Sequence, residues 1–284
     1  MLSPACSISI RDNIQVLHID NAFASAQVAL FGAHMLSFQP KSDLRERFWL
    51  SKAAKLDGVQ AIRGGVPLCW PWFGDHQIKQ IEPDNKDFPS HGYVRTQLWN
   101  IVKTLDTPKG TEVTLSPTTT QGAGFKGEAQ LQLIITIGQH CSMQLVTSNV
   151  GSAHFEYRCA LHSYFAISDI RTISLQGITG DYRDKTQDMQ TFKTPSPYEF
   201  NAETDRVHLC QASNVTIVDK QLHTVIGSNG HDSLVVWNPW QDKSISMNDM
   251  EDEGYLTMVC VETAITQGEI LAPGQSHVLT QIVY

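Results

Sequence analysis

Apolar and polar residues alternate with a period of two along much of the chain. The clearest run, AQLQLIITI at 129–137, puts aliphatic side chains on one face and polar ones on the other: Leu131, Leu133, Ile135 and Ile137 against Gln130, Gln132 and Thr136. Successive side chains of a β-strand point to opposite faces of its sheet. This run therefore predicts a half-buried strand.

Six further segments carry a similar signal and are separated by clusters typical of turns, such as QGAG, NVGS, GSNGHD and APGQ. These predicted strands lie at 111–118, 142–150, 214–219, 233–237, 255–264 and 277–284. One short helix is predicted, at 51–56. Because long amphipathic helices do not alternate with the strands, a parallel doubly wound sheet is disfavoured. We predict an all-β fold, a large antiparallel β-sandwich of two sheets packed face to face.

The length of 284 residues exceeds that of an average domain, but all-β sandwiches of this size are common as single units. The best predicted loops, at 86–90 and 193–205, are neither long enough nor polar enough to act as domain linkers. We expect one domain that spans 1–284.

Charge and composition exclude several classes of partner. The net charge is −8 and the lysines and arginines are scattered, so nucleic acid is not expected as a partner. No apolar stretch approaches the roughly 18–20 residues that span a bilayer, and the N-terminus lacks the basic and apolar regions of a secretory signal. The six cysteines show no metal-ligand spacing. We expect a cytoplasmic protein with reduced cysteines, no bound metal and no membrane partner.

Glu262 is the first candidate for chemistry. It lies in the apolar run YLTMVCVETA, on the predicted face that also carries Met258, Cys260 and Ala264. A carboxylate in the middle of an apolar strand is costly unless it is paired or lines a cavity. A partly desolvated glutamate has a raised pKa, which suits a general base near neutral pH. The alternative is that the strand ends there and Glu262 is solvated.

Two histidines are further candidates. His162, in RCALHSYFAI, lies among apolar and aromatic residues, in phase with Ala160 and Tyr164. Histidine titrates in the range that proton transfer requires, so His162 is a candidate proton donor. A histidine satisfied within the core is the alternative. His91, in HGY, precedes a glycine that lets the backbone approach a ligand closely.

Polar recognition residues and aromatic faces complete the set. Arg63 in RGG and Arg95 in HGYVR could bind a carboxylate or phosphate through the guanidinium fork, or could form structural ion pairs. Asp184 in GDYRDK could accept a bond from a hydroxyl, although an aspartate in a turn commonly bonds the turn itself. The segments WPWF (70–73) and WNPW (237–240) could stack on a sugar ring or fill the core.

These stretches together resemble one family. The segments GAHMLSFQP, FWLSKAA, IRGGVPLCWPWFG, HGYVRTQLW, LHSYF, GDYRDK, DRVHL, WNPW and MVCVETA occur in this order, from about residue 32 to 271. The series resembles the aldose 1-epimerase superfamily, and within it the hexose-6-phosphate mutarotases. IRGGVPLCWPWFG is the most specific part. The resemblance implies a galactose mutarotase-like β-sandwich that acts on the anomeric carbon and needs no cofactor.

The resemblance also implies residue roles. His162 would be the catalytic acid and Glu262 the catalytic base. Arg63 and Arg95 would hold the sugar phosphate, His91 would be a second active-site histidine, and Asp184 would contact sugar hydroxyls. One departure is His208 in DRVHL, where a tyrosine is common in the family, and this puts only that local contact in doubt.

The resemblance predicts an isomerase that interconverts the α and β anomers of a hexose 6-phosphate, acting as a monomer or weak dimer with a small-molecule sugar phosphate. A mutarotase for unphosphorylated aldoses would not need the two arginines. A non-catalytic carbohydrate-binding or regulatory protein on the same scaffold would need neither His162 nor Glu262. A two-carboxylate glycosidase lacks a second convincing acid to pair with Glu262.

Overall fold

The computed structural model describes residues 1–80, 88–220 and 222–284. Within them the strands form three antiparallel sheets. The first sheet is four-stranded and contains, in spatial order, β1 (Cys6–Arg11), β2 (Ile14–Asp20), β3 (Ala24–Ala29) and β4 (His34–Pro40).

The second sheet has eight strands. In spatial order it contains β14 (Gln190–Lys193), β13 (Asp181–Asp184), β15 (Thr204–His208), β18 (Ser233–Asn238), β19 (Met258–Leu271), β10 (Phe155–Leu161) and β5 (Leu68–Cys69), with β11 (Tyr164–Ala166) also paired to β19.

The third sheet also has eight strands. In spatial order it contains β12 (Ser174–Gln176), β16 (Asn214–Asp219), β17 (Leu222–Asn229), β20 (Ser276–Val283), β9 (Cys141–Asn149), β8 (Ala129–Ile137), β7 (Gly110–Pro117) and β6 (Trp99–Thr107). The predicted strands at 129–137 and 214–219 are confirmed with the same bounds. Those predicted at 111–118, 142–150 and 277–284 are each displaced by one residue.

Helices are few and short in the part of the chain that the structure describes, and none could cross a membrane. They are α1 (Trp240–Ser246) and four 3-10 helices, Gln77–Gln80, Val94–Thr96, Lys185–Gln187 and Gly254–Thr257. The strand predicted at 255–264 therefore begins as a 3-10 helix and becomes β19 only at Met258. The strand predicted at 233–237 is observed as β18, which extends one residue further, to Asn238.

The helix predicted at 51–56 is wrong. Ser51 donates its backbone N–H to the carbonyl of Arg63, and Glu251 Oε1 accepts the N–H of Lys52. The Ser51 hydroxyl oxygen accepts the N–H of Ala53. Because distant partners and this local turn already bond the backbone N–H groups, the segment gains little from forming a helix.

The two predicted loops agree with the structure to different extents. Residues 86 and 87 of the loop predicted at 86–90 lie outside the described residues. The loop predicted at 193–205 begins on the last residue of β14 and ends inside β15. Between those strands the chain has neither helix nor strand, so the prediction holds for the middle of the segment.

The main core joins the second and third sheets. Leu133 and Ile135 of β8 belong to one continuous apolar cluster with Val259 and Val261 of β19, and all four are buried. Each such burial stabilises the fold by about 1.5–3 kcal/mol. Because side chains alternate along β19, Cys260 and Glu262 lie on the opposite face of the second sheet, away from this core.

Candidate active site

The candidate site is built on β19, near the middle of the second sheet. Strands β10 and β11 both pair with β19, and the break between them places His162 opposite Glu262. His162 Nε2 lies 3.3 Å from Glu262 Oε1, and Glu262 is 1% exposed. The structure therefore brings together the two residues that the sequence nominated as acid and base.

Burial sets the protonation of this pair. Burial raises the pKa of Glu262 well above its usual value near 4.5, although Lys185 and Arg95 act against the rise. Burial also lowers the pKa of His162 well below 6.5, and the charges of Arg95 and Arg63 lower it further. Both directions disfavour ions, so burial favours a protonated carboxyl group beside a neutral imidazole, with one titratable proton between the two groups.

Each member of the pair has a buried atom without a hydrogen-bond partner among the described residues. These atoms are His162 Nδ1 and Glu262 Oε2. Buried polar atoms are nearly always bonded, so these two atoms are open to a hydrogen bond from a ligand or a water molecule. The two side chains line a pocket of about 160 Å³, whose other lining residues are Arg63, Phe73, His91, Tyr164, Lys185, Asp205, Trp237 and Met247.

Four larger concavities lie elsewhere on the molecule. The largest two, of about 730 and 710 Å³, lie beside Glu46 and Glu251 and along residues 174–180 and 193–198, and neither is lined by a histidine. The other two, of about 440 and 190 Å³, are lined by His140 and by His76, and neither contains a buried carboxyl group. Chemistry rather than size therefore selects the small pocket on β19 as the candidate active site.

His91 faces His162 across the pocket, with 5.5 Å between their ring centroids. Its Nδ1 accepts the backbone N–H of Gly74 at 3.2 Å. Burial lowers the pKa of His91 well below 6.5, with a further effect of Arg95, so the ring is neutral. A neutral ring whose Nδ1 accepts must carry its proton on Nε2. His91 therefore offers the site a hydrogen-bond donor.

Arg63 lines the pocket but is already partly engaged. Its Nε and Nη2 contact Asp249 at 3.2 and 3.1 Å, and its Nη1 donates to the Tyr164 hydroxyl at 3.0 Å. A guanidinium has five N–H donors, and these three contacts leave two for a ligand. Tyr164 and Asp249 also raise the pKa of Arg63, so it stays cationic.

Arg95 and Asp184 do not line the pocket. The Arg95 guanidinium donates to the carbonyl of Ser90 at 2.7 Å, and only its charge reaches the histidines of the site. Asp184 is buried and bonds its own turn, because its Oδ1 accepts the N–H and hydroxyl of Thr186. The turn reading of Asp184 is the one that the geometry supports.

Sequence reasoning missed the two charged residues that take the place expected for Asp184. Lys185 follows Asp184 directly, and its Nζ lies 3.2 Å from Asp205 Oδ1. Both line the pocket. Lys185 is the last residue of GDYRDK and Asp205 is the first residue of DRVHL. Both segments were singled out from the sequence, but no role was assigned to these two residues.

The aromatic segments divide between core and pocket. Trp70 is fully buried and packs against Phe125, with 4.8 Å between ring centroids. Phe73 and Trp237 line the pocket. Gly65 and Gly92 have positive φ, and a Cβ on either would lie about 2 Å from the backbone oxygen of Met35 or Trp70, respectively. These glycines therefore allow segments of the protein to approach one another closely, rather than a ligand.

A buried amide supports the pair from behind. Gln281 of β20 is fully buried and contacts both chain segments of the site. Its Nε2 donates to the Val261 carbonyl and the Thr263 hydroxyl, while its Oε1 accepts from the Ser163 hydroxyl. Because these partners flank Glu262 and follow His162, Gln281 ties both to the third sheet.

The Cys260 thiol lies within 4.8 Å of the ligand atoms of His162 and Glu262. Burial raises the pKa of this thiol well above 9, so a metal ion would have to displace its proton to bind there. We assign no metal to this group, and the expectation of a site without metal or cofactor stays a prediction.

Comparison with known proteins decides the family. The sequence model described as aldose 1-epimerase matches residues 15–284. The chain belongs to the aldose 1-epimerase family. Members named "Putative glucose-6-phosphate 1-epimerase" include one from Escherichia coli strain K12, which is 34% identical over 268 residues and covers 93% of this chain and 87% of its own length.

Solved structures agree with this assignment. A "putative mutarotase" from Salmonella typhimurium is 30% identical, with a TM-score of 0.89, over 100% of this chain and 94% of that one. A galactose mutarotase-like protein from Clostridium acetobutylicum is 14% identical, with a TM-score of 0.75, over 98% and 97%. The predicted antiparallel, galactose mutarotase-like β-sandwich is confirmed.

Proposed function

We propose that this aldose 1-epimerase family member interconverts the α and β anomers of hexose 6-phosphates, with glucose 6-phosphate as substrate. The observation that carries the proposal is the buried His162–Glu262 pair, in which Nε2 lies 3.3 Å from Oε1 and each side chain has an unpartnered atom. Anomer exchange needs one group that accepts a proton and one that donates a proton at neighbouring oxygens of the sugar.

The two groups act in opposite directions on the hemiacetal. With the shared proton on His162, the Glu262 carboxylate accepts the proton of the O1 hydroxyl while His162 donates to the ring oxygen. The bond from C1 to the ring oxygen breaks and C1 becomes the aldehyde carbon. Rotation about C1–C2 presents the other face, and the reverse transfers close the ring as the opposite anomer.

The burial of the pair favours the ring-opening step. Opening leaves Glu262 protonated and His162 neutral, which is the uncharged arrangement that burial stabilises. Such acid–base assistance contributes about 10²- to 10⁴-fold in rate, and positioning of the sugar adds to it. His91 Nε2–H supplies a donor that can hold a sugar oxygen beside the pair.

Cationic side chains support a phosphorylated substrate. Arg63 keeps two N–H donors for a ligand, and Lys185 lines the same pocket. The charge of Arg95 lowers the pKa of His162 and of His91. Guanidinium groups bind phosphate through paired, charge-assisted hydrogen bonds. The relatives from Escherichia coli and Salmonella typhimurium, both named "Putative glucose-6-phosphate 1-epimerase", point to the same substrate class.

A mutarotase for unphosphorylated aldoses is the second candidate, and one observation favours it. Arg63 already forms a two-point ion pair with Asp249, as a structural arginine would. In that case, the charge of Arg63 would be balanced by Asp249, and the sugar would not need to carry a phosphate.

Exchange NMR of the anomeric protons tests the proposal directly, with glucose 6-phosphate and glucose measured side by side. Glu262→Gln, purified in the same way, controls for contaminating mutarotases and for catalysis by the phosphate itself. We expect faster exchange with both the protein and glucose 6-phosphate present, and a much lower kcat/KM on glucose.

Equal kcat/KM on the two sugars would overturn the phosphate assignment in favour of the plain aldose mutarotase. Exchange no faster than with Glu262→Gln on either sugar would overturn the enzymatic proposal itself.

A further inference from the structure

Lys185 occupies a fixed position at the pocket although it lies on an exposed turn. Asp184 caps the 3-10 helix Lys185–Gln187, and its Oδ1 accepts the backbone N–H of Thr186. The preceding strand β13 pairs with β15, so the turn is held beside Asp205. The segment GDYRDK thus delivers its lysine, rather than its aspartate, to the site.

Two contacts orient the Lys185 ammonium group. Its Nζ lies 3.2 Å from Asp205 Oδ1 and 5.1 Å from the centroid of the Phe73 ring. The Asp205 side chain is 18% exposed and that of Lys185 is 31% exposed. Partial burial makes both the ion pair and the cation–π contact stronger than their equivalents on an open surface.

Lys185 and Glu262 line the same pocket. After burial, Lys185 has the largest electrostatic effect on the Glu262 carboxyl group and opposes its neutralisation, ahead of Arg95. Asp205 acts in the opposite sense. Several other charged or titratable groups interact with Glu262 or line its pocket, and they are His162, Lys185, Asp205, Arg95, Tyr164, Cys260, Cys69, Arg63 and His91.

We propose that Lys185 is a positioning residue of this site, which holds Asp205 against the pocket and stabilises negative charge on Glu262. The kinetic part of this inference rests on the proposed anomerase function. The reactive arrangement places the shared proton on His162 and leaves Glu262 anionic. The Lys185 charge also disfavours a proton on His162, but there it ranks after Arg95 and Arg63, whereas on Glu262 it is the leading charge. Its net effect therefore favours the reactive arrangement over the neutral one and raises the fraction of the enzyme that is ready to react.

Three variants test this role. Lys185→Met removes the charge and keeps most of the side-chain volume, whereas Lys185→Arg restores a cation. Lys193→Met is the matched control, because Lys193 forms an ion pair with Asp181 on the neighbouring strand while its side chain is 85% exposed. None of these side chains is buried in the core, so the variants are expected to fold.

The first readout is the kinetics of anomer exchange. We expect Lys185→Met to lower kcat about 10- to 100-fold and to change KM less. The loss of the Lys185 charge affects the proton shared by Glu262 and His162 more than it affects the binding of the sugar. Lys185→Arg should recover part of kcat and Lys193→Met should match the wild type. An unchanged kcat, or a rise in KM alone, would overturn the proposal; the latter would make Lys185 a substrate ligand.

The second readout needs no substrate. The ¹³C chemical shift of the Glu262 carboxyl carbon reports its titration in the unliganded protein. Without the Lys185 cation, Glu262 should ionise at a higher pH in Lys185→Met, and not in Lys193→Met. An unmoved titration would overturn the electrostatic role. If the wild type failed to exchange any anomer, the proposed function would fail while this titration still decided the role of Lys185.

Discussion

Two buried histidines of this protein differ in one instructive respect. His208, on β15, is fully buried, its Nε2 lies 2.9 Å from the Tyr198 hydroxyl and its Nδ1 lies 3.1 Å from the Thr194 hydroxyl. His162 is nearly as buried, but its Nδ1 has no partner among the described residues and its Nε2 faces a carboxyl group.

A low pKa does not separate these two histidines. Burial, with the charge of Arg206, lowers the pKa of His208 to about 3, and burial also lowers that of His162. What separates them is hydrogen bonding. A histidine with both nitrogens satisfied has no capacity left for a ligand, whereas His162 keeps a free nitrogen and a proton-sharing neighbour. The difference supports our proposal that His162 takes part in the reaction, whereas His208 is expected to be structural.

The largest expected effect concerns His162. His162→Gln should lower kcat for anomer exchange by about 10²- to 10⁴-fold, because it removes the proton donor to the ring oxygen. Exchange NMR measures the rate and circular dichroism checks the fold. A variant that is folded and keeps near wild-type turnover would refute the role of His162.

Arg63, the arginine that lines the pocket, comes next. Arg63→Ala should raise KM for glucose 6-phosphate about 10- to 150-fold and change kcat less, since a charge-assisted bond contributes about 1.5–3 kcal/mol. Asp249→Asn controls for loss of the Arg63–Asp249 ion pair alone. Equal losses on glucose and glucose 6-phosphate would show that Arg63 is structural.

His208 should affect stability instead of rate. His208→Leu leaves the hydroxyl groups of Tyr198 and Thr194 without this partner, which should lower the free energy of unfolding by about 1–3 kcal/mol. Urea titration measures this loss and exchange NMR measures kcat. A large fall in kcat without a loss of stability would reverse the comparison between the two histidines.

The smallest effect is a shift in pH dependence. The pair gains a second proton only when the pH falls through the lowered pKa of His162, and loses its last one only when the pH rises through the raised pKa of Glu262. Activity should therefore persist below pH 6.5, where an ordinary histidine becomes charged. NMR titration of the His162 ring in the unliganded protein tests this, and protonation near pH 6.5 would contradict it.

Local patterns were enough to predict much of the fold. The bounds of β8 and β16 follow from alternation alone, because a half-buried strand in an antiparallel sheet repeats every two residues. The same alternation placed Glu262 on the face of Cys260, away from the main core. Helix α1 was missed because Trp240–Ser246 is short and has no apolar stripe. The extent of the domain, at 1–284, stays a prediction.

The sequence predicted a site residue only where that residue stands out within its own segment of the chain. His162 and Glu262 are anomalous within their own apolar segments, so the sequence reveals them. Lys185 and Asp205 meet only because β13 pairs with β15, and no local pattern specifies that contact. Asp184 was predicted to contact the sugar, but the next residue, Lys185, lines the pocket instead. The reason is that the Asp184 side chain caps the 3-10 helix Lys185–Gln187. The catalytic and binding roles of all these residues stay predictions.

Glu262→Gln tests the central claim most directly, because rate and stability can be measured on one preparation. A glutamine amide can donate to His162 as the protonated carboxyl group does, but it cannot accept a proton. We predict that anomer exchange falls about 10²- to 10⁴-fold. Because the folded-state pKa of Glu262 is raised, the wild type loses stability as the pH rises from about 4.5 toward that pKa. The variant should therefore become the more stable protein over that range, by up to about 1.4 kcal/mol for each pH unit. Retained exchange, or a stability difference that does not grow with pH, would contradict the account.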